Sequence, residues 1–420
     1  MIASRQKMLA IVCGGGPAPG INSVISSVTI EARKNGWEVL GIYDGFAHLC
    51  KGIKNVVPLT IDMVSRIHYD GGSMLRMSRA NPTKAEESLR KAVETLLDLG
   101  VTHLVTIGGD DTAYSAFKIS EYATQQLGMS LQVVHVPKTI DNDLPLPEGV
   151  PTFGFETARA LGAQLVSNLM EDARTTGRWY FAIAMGRTAG HLALGIGKSA
   201  SATLTIIPEA FGTGQIRLQN LVDLLTASII KRLALKRDYG VAVVAEGIVE
   251  KIAPEDLKNL EAHCFDEHGH IRYAELNFPE LLKQAVMKNL CDLGVKMTIV
   301  GKEIGYELRC APPNAYDIEY TRNLGYAAFD FLRNGGSDAL ITIQNNRITP
   351  ISFAEILDMQ TKKTKVRMVN IHSIQYQIAK EYMVFLEKDD LDDSMKLKAL
   401  AAVTKLSEGD LVKRFAAVAL

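Results

Sequence analysis

Leu104-Val105-Thr106-Ile107-Gly108-Gly109-Asp110-Asp111-Thr112 is an apolar run that breaks into two glycines and two carboxylates, with a helical pattern beginning near Tyr114. The run is short and rich in β-branched residues, which suits a buried strand. Strand, glycine turn and helix, in that order, form a phosphate cradle. Glycines let backbone N–H groups approach phosphate oxygens, and the helix N-terminus adds partial positive charge. Two carboxylates in the turn repel a bare phosphate, so a divalent cation is expected between Asp110 and the phosphate oxygens. The stretch predicts an α/β fold with a phosphoryl-transfer site.

The same order occurs upstream. Met8-Leu9-Ala10-Ile11-Val12-Cys13 runs into Gly14-Gly15-Gly16-Pro17-Ala18-Pro19-Gly20-Ile21-Asn22, followed by an apolar helical pattern over 23–34 and a second strand over 37–43. The loop Gly71-Gly72-Ser73-Met74-Leu75-Arg76-Met77-Ser78-Arg79 sets two arginines beside two hydroxyls, a combination able to bind phosphate through paired donors. Thr83-Lys84-Ala85-Glu86 reads as a capping box for a helix closing at Gly100. The helix after Thr112 ends near Gly128, and a strand over 131–136 delivers Pro137-Lys138-Thr139-Ile140-Asp141-Asn142-Asp143. One cation, one hydroxyl and two carboxylates supply what phosphoryl transfer to an alcohol needs, with either aspartate able to take the proton. Strands alternating with helices imply a parallel sheet, and these polar loops fall at its carboxyl ends, where ligands bind.

Further along, Arg178 precedes a strand over 179–184 that ends in Met185-Gly186-Arg187-Thr188-Ala189-Gly190-His191-Leu192. A strand over 241–245 ends in Glu246, placed to bind sugar hydroxyls or to cap a helix. Residues 250–296 read as helical and charged. Their His263, Cys264, His268 and His270 lack the second ligand pair that a zinc site needs. Lys302-Glu303-Ile304-Gly305-Tyr306-Glu307-Leu308-Arg309 gathers two cations and a phenol into a candidate phosphate clamp. Beyond Asn345 the pattern is mixed helical. The basic run 362–365 and the acidic run 387–393 read as solvated faces.

The expected architecture is two Rossmann-like lobes with largely parallel sheets covered by helices. The lobes span 1–150 and 151–345, the second with a helical insertion at 250–296, and a mainly helical extension, 346–420, packs on them. A chain of 420 residues has room for two cores, and its net charge of −1 gives no global attraction for nucleic acid or anionic membranes. No apolar run approaches the roughly 20 residues of a membrane span. Five scattered cysteines without a CxxC pair point to a reduced, cytoplasmic setting.

Taken together, the motifs resemble the phosphofructokinases over about residues 8–345. The matching stretches are GGPAPGIN from Gly15, GIYDGF from Gly41, GGDDT, PKTIDND, MGRTAGHLALG from Met185 and AEG from Ala245. The resemblance implies phosphoryl transfer to the 1-hydroxyl of fructose 6-phosphate, with Mg2+ as cofactor. It implies Asp141 as base with Thr139, Lys138 and Arg187 in the catalytic set, and Asp110 and Asp143 at the metal. Gly16 and Arg79 would meet the donor. Arg178, Met185, Gly186, Arg187, Glu246, Lys302, Tyr306 and Arg309 would meet the sugar phosphate, with Arg178 reaching a neighbouring subunit's site in a homo-oligomeric dimer or tetramer.

Asp111 and Lys138 stand where ATP-using members usually carry glycine and a small residue. Two like charges ~4 Å apart cost roughly 1 to 4 kcal/mol, so Asp111 would repel a nucleotide's α-phosphate. Lys138 would serve a pyrophosphate donor that brings no adenosine contacts. The pair matches the pyrophosphate-dependent branch; an ATP-dependent kinase and a non-catalytic sugar-phosphate sensor are the alternatives. Arg76, where the family more often has glycine, and Pro17, in place of an acidic residue, depart from the pattern. The helix over 23–31 lacks the basic residues of a nucleotide effector site, which implies loss of allosteric control.

Overall fold

A computed structural model describes residues 7–257, 276–358 and 363–419. The chain divides into two compact units, Met1–Ala158 with Tyr306–Arg367, and Arg159–Gly305 with Met368–Leu420. In the first, β1 (Met8–Cys13), α1 (Ile21–Lys34), β2 (Glu38–Ile42), β3 (Val56–Pro58), α2 (Ile61–Val64), α3 (Glu86–Asp98), β4 (His103–Gly108), α4 (Asp110–Leu127) and β5 (Gln132–Pro137) follow in order. Then α5 (Phe155–Thr176) leads into β6 (Trp179–Ala184), α6 (His191–Ala200), β7 (Leu204–Ile206), α7 (Leu218–Ala234), β8 (Gly240–Ala245), α8 (Phe278–Asp292) and β9 (Ile299–Ile304). The chain returns to the first unit through α9 (Tyr306–Arg309), α10 (Ala315–Arg333) and β10 (Ala339–Leu340).

The first sheet runs Ile351–Ser352, β10, β5, β4, β1, β2, β3, with antiparallel pairing only at its two edges. Period-2 alternation divides its side chains between two cores. Leu9, Ile11, Val105, Ile107, Val134 and Val136 pack with Ile21, Val24 and Val28 of α1 and Leu324 and Ala328 of α10. Ala10, Val12, Leu104 and Val133 pack with Val93 and Leu96 of α3 and Ala116 and Ile119 of α4. Burial on both faces is why these strands read as continuous apolar runs. The second unit holds an all-parallel sheet ordered β7, β8, β6, β9, whose core takes in Leu386, Leu391, Leu400, Leu411 and Phe415 from the tail.

The α/β expectation holds, but the division of the chain differs from the expected one. Residues 306–345 join the first unit, because β10 pairs parallel to β5 and α10 packs on α1. There Gly325 leaves room for Ser27: a Cβ on it would stand 2.7 Å from that of Ser27. The extension is likewise divided at Arg367. Helix α4 starts at Asp110, not near Tyr114, so both carboxylates occupy its first turn, where the helix dipole favours them. The capping box is not formed: Asn81 Oδ1 accepts both the N–H and the hydroxyl of Thr83, and α3 begins at Glu86 without a side-chain cap. Asp390 of the acidic run is buried and pairs with Lys231 at 2.6 Å. His263, Cys264, His268, His270 and most of the 250–275 stretch lie outside the described residues, as does Lys362. Among the described residues no helix is long and apolar enough to cross a membrane, and Cys13, Cys50, Cys291 and Cys310 are free thiols.

Asp317 of α10 ties the return segment to the start of α5. Its fully buried carboxylate accepts from Gly154 N (2.8 Å), Thr157 N (2.7 Å) and Thr157 Oγ1 (2.5 Å). Asp317→Ala strands these donors, and the expected loss is about 3 kcal/mol of unfolding free energy, measured by urea titration.

Candidate active site

Parallel register sets the loops after β1, β4 and β5 side by side, since Cys13 pairs with Ile107 and Gly108 with Pro137. Gly14 N–H donates to Ile107 O (2.9 Å) and Lys138 N–H to Gly108 O (2.8 Å). Only glycine fits at two of these points, because a Cβ on Gly14 or Gly108 would stand 2.3 Å or 2.4 Å from the side chain of Thr112. Lys138, buried, donates from Nζ to Gly16 O at 2.5 Å. Burial pulls its pKa down to about 8; Asp141 and Asp143 oppose that shift and Arg309 adds to it. His135, beneath the same loops, is fully buried and held by Thr106 Oγ1 (2.8 Å) and Gly108 O (2.9 Å). Desolvation lowers it to about 3, so it is neutral and has no acid–base part at physiological pH.

Thr139, Asp141 and Asp143 are all buried. Thr139 Oγ1 accepts from Asp141 N (3.0 Å), and Thr152 Oγ1 donates to Thr139 O (2.7 Å). Asn142 takes a left-handed φ of 56°, with its Oδ1 accepting from Thr152 N at 3.0 Å. These local bonds brace the turn that carries Asp141 and Asp143. Asp110 is half-buried on the first turn of α4. Asp111 beside it is exposed and lines a cavity of about 600 Å³ with Thr83, Lys84, Tyr114, Lys118 and Glu121. Asp111 and Lys138 therefore stand at different points, the carboxylate at the cavity and the ammonium under the glycines.

The Gly71–Arg79 loop lies along the first glycine turn, where Gly15 N donates to Ser78 O at 2.9 Å. Asn22 anchors it, accepting from Met74 N (2.8 Å) and donating to Asp70 O (3.2 Å) and Gly71 O (3.3 Å). Arg76 has φ 54°, which explains why glycine suits this position. Its guanidinium pairs with Asp44 at 2.6 Å and stacks over Tyr43. Arg79 is exposed on the same loop. The 302–309 clamp is divided: Lys302 is exposed on β9 in the second unit, while Tyr306 and Arg309 belong to the first. Arg309 Nη1 stands 3.6 Å from where a Cβ on Gly16 would be, so this arginine flanks the glycine cradle. Tyr306 is 74% exposed under the Arg309 guanidinium.

In the second unit Glu246 caps no helix with its side chain. Its Oε1 accepts from Gly186 N (3.1 Å) and Arg187 N (2.7 Å), which fixes the loop after β6. Arg187 has φ 53°. Gly247 permits this approach, since a Cβ there would stand 2.3 Å from Arg187 O. Glu209, not singled out by the sequence, holds the other end of the loop: its Oε1 accepts from Gly190 N and Val369 N, each at 2.9 Å. Asn22 and Glu209 act on backbone N–H and C=O groups, which carry no residue pattern to search for. Arg178 and Met185 flank β6, so six residues of strand separate them by about 20 Å. Arg178 lies 3.9 Å from Asp172.

Among the described residues no group of three or more His, Cys, Asp or Glu stands together as a metal cage. A hard cation that shares its shell with phosphate and water needs only one or two carboxylates.

The phosphofructokinase family model matches residues 8–332. Two relatives named pyrophosphate–fructose 6-phosphate 1-phosphotransferase align almost end to end. The one from Thermotoga maritima is 53% identical over 97% of both chains; the one from Naegleria fowleri is 49% identical over 97% of this chain and 94% of its own. A solved pyrophosphate-dependent phosphofructokinase from Marinobacter aquaeolei shares the fold, with a TM-score of 0.68, 18% identity and 90% of each chain covered.

The buried lysine sets a pH dependence. The folded protein holds the Lys138 proton below about pH 8 and loses it above. Pyrophosphate affinity, measured by calorimetry, is expected to weaken as pH rises through 8, and Lys138→Met to remove that component. Stability moves the opposite way. The unfolded chain keeps its lysine proton to about 10.5, so this group's contribution is lowest below pH 8 and rises between 8 and 10.5.

Proposed function

The chain belongs to the phosphofructokinase family, and we propose that it is a diphosphate:fructose-6-phosphate 1-phosphotransferase. It moves a phosphoryl group between pyrophosphate and the 1-oxygen of fructose 6-phosphate, giving fructose 1,6-bisphosphate and phosphate. The reaction is reversible, because the exchanged phosphate bonds are similar in energy. The observation that carries the donor assignment is the Lys138 ammonium, buried under the Gly16 carbonyl among three strand-end loops. It offers a pyrophosphate the positive charge that adenosine contacts would otherwise replace.

In this reading Asp141 accepts the proton of the 1-hydroxyl as its oxygen bonds to phosphorus and the bridging P–O bond breaks. Thr139 orients the Asp141 turn. Lys138 and Arg309 balance the charge growing on the leaving phosphate, and the backbone of Gly14 to Gly16 receives its oxygens. Family enzymes generally use a divalent metal; Asp110 and Asp143 are the carboxylates that would hold Mg2+, which would supply positive charge against that of the phosphates. Met185, Gly186 and Arg187, fixed by Glu246, take the sugar phosphate. The separation along β6 keeps Arg178 away from that loop in its own chain. This supports a homo-oligomer in which Arg178 serves a neighbour. A cytoplasmic setting completes the proposal.

The cavity beside Asp111 favours one second reading, a nucleoside triphosphate donor. Parallel assays with pyrophosphate and with ATP decide between them: turnover with pyrophosphate is expected, and turnover with ATP alone overturns the assignment. Asp141→Asn is expected to lower kcat by about 10²- to 10⁴-fold at nearly unchanged KM, and an unaffected kcat would remove Asp141 as the base. Mixing Arg178→Ala with Asp141→Asn subunits should recover part of the activity that each lacks alone; no recovery counts against a shared site.

A further inference from the structure

One arginine near the end of the chain gathers the carbonyls of the loop that carries Asp141 and Asp143. The backbone N–H of Arg367 donates to Asp143 O at 2.8 Å. Its guanidinium donates to Asn142 O from Nε (3.2 Å) and Nη2 (3.1 Å), and from Nη2 to Asn142 Oδ1 (2.5 Å). From Nη1 it reaches Leu146 O (3.1 Å), Pro147 O (3.2 Å) and Val150 O (2.9 Å). Residues 142–150 thus turn four carbonyls toward a single half-buried side chain. The same guanidinium grips Asn142, whose left-handed backbone lies between the two aspartates.

A planar fork of five N–H donors can satisfy so many acceptors at once, whereas an ammonium on the same stem cannot. Surface stitching alone would need one or two of these bonds. We propose that Arg367 is the positioning residue of the 139–150 loop, holding Asp141 and Asp143 at the angle the transfer requires without touching either substrate. The proposal rests on the function assigned above for its kinetic arm only.

The test uses the full chain with Arg367→Lys, which keeps the charge and loses the fork, and Arg367→Ala. Amide hydrogen exchange of residues 139–152, measured without substrates, is expected to speed up about tenfold or more in both variants, while β1, β4 and β5 keep wild-type protection. Turnover is expected to fall by about 10- to 100-fold with KM for both substrates changed less than about threefold. Millimolar guanidinium should restore part of the turnover of Arg367→Ala. Wild-type exchange in the loop overturns the proposal, as does acceleration spread evenly over the sheet. If Arg367→Ala does not fold, Arg367→Lys decides by the same measures. A wild-type protein that turns over neither donor refutes the assigned function, and the exchange arm still decides the role of Arg367.

Discussion

Burying the Lys138 ammonium is the constraint on which the first unit depends. A charged amine without water must find oxygen partners or give up its proton. Here the Gly16 carbonyl accepts from it, and Asp141 and Asp143 act against the desolvation that pulls its pKa down. The loops after β1 and β5 must close on one point for this to happen, and parallel register across β1, β4 and β5 brings them there. The cost of the buried charge is met by the same geometry that brings these loops together.

Close approach then determines which residues are admissible. Gly14 and Gly108 give way to the side chain of Thr112, and Gly71 lies so near Cys310 that a Cβ would stand 2.0 Å from its carbonyl. Neutral His135 fills the space below with two hydrogen bonds and adds no charge of its own against the lysine. In the second unit the solution is different. Carboxylates grip backbone: Glu246 holds Gly186 and Arg187, and Glu209 holds Gly190. Both devices prepare loops in place rather than relying on ligands to order them.

Legibility in the sequence followed the range of the interaction. The Gly108–Asp111 turn, the Lys138–Asp143 loop and the Met185–Arg187 loop were readable because each joins a strand to polar residues within a few positions. Arg76 showed a departure from glycine, but its positive φ and its ion pair with Asp44 appear only in three dimensions. Glu246 read equally as sugar contact or cap, and the backbone it grips lies 60 residues away. The return of 306–367 to the first sheet was not readable. Its pairing strand, β10, is two residues long, and a two-residue strand has no periodicity.

By itself the sequence determined the α/β class, the family and the polar loops that gather at the strand ends. Those properties are written in short patterns of glycine, charge and apolar spacing. Tertiary structure alone decided that Arg309 flanks Gly16, that Asp111 faces a cavity while Lys138 lies under the glycines, and that Arg367 grips the Asn142 turn. Each is a contact between segments brought together by sheet register and a returning chain, and such contacts leave no mark in local residue order.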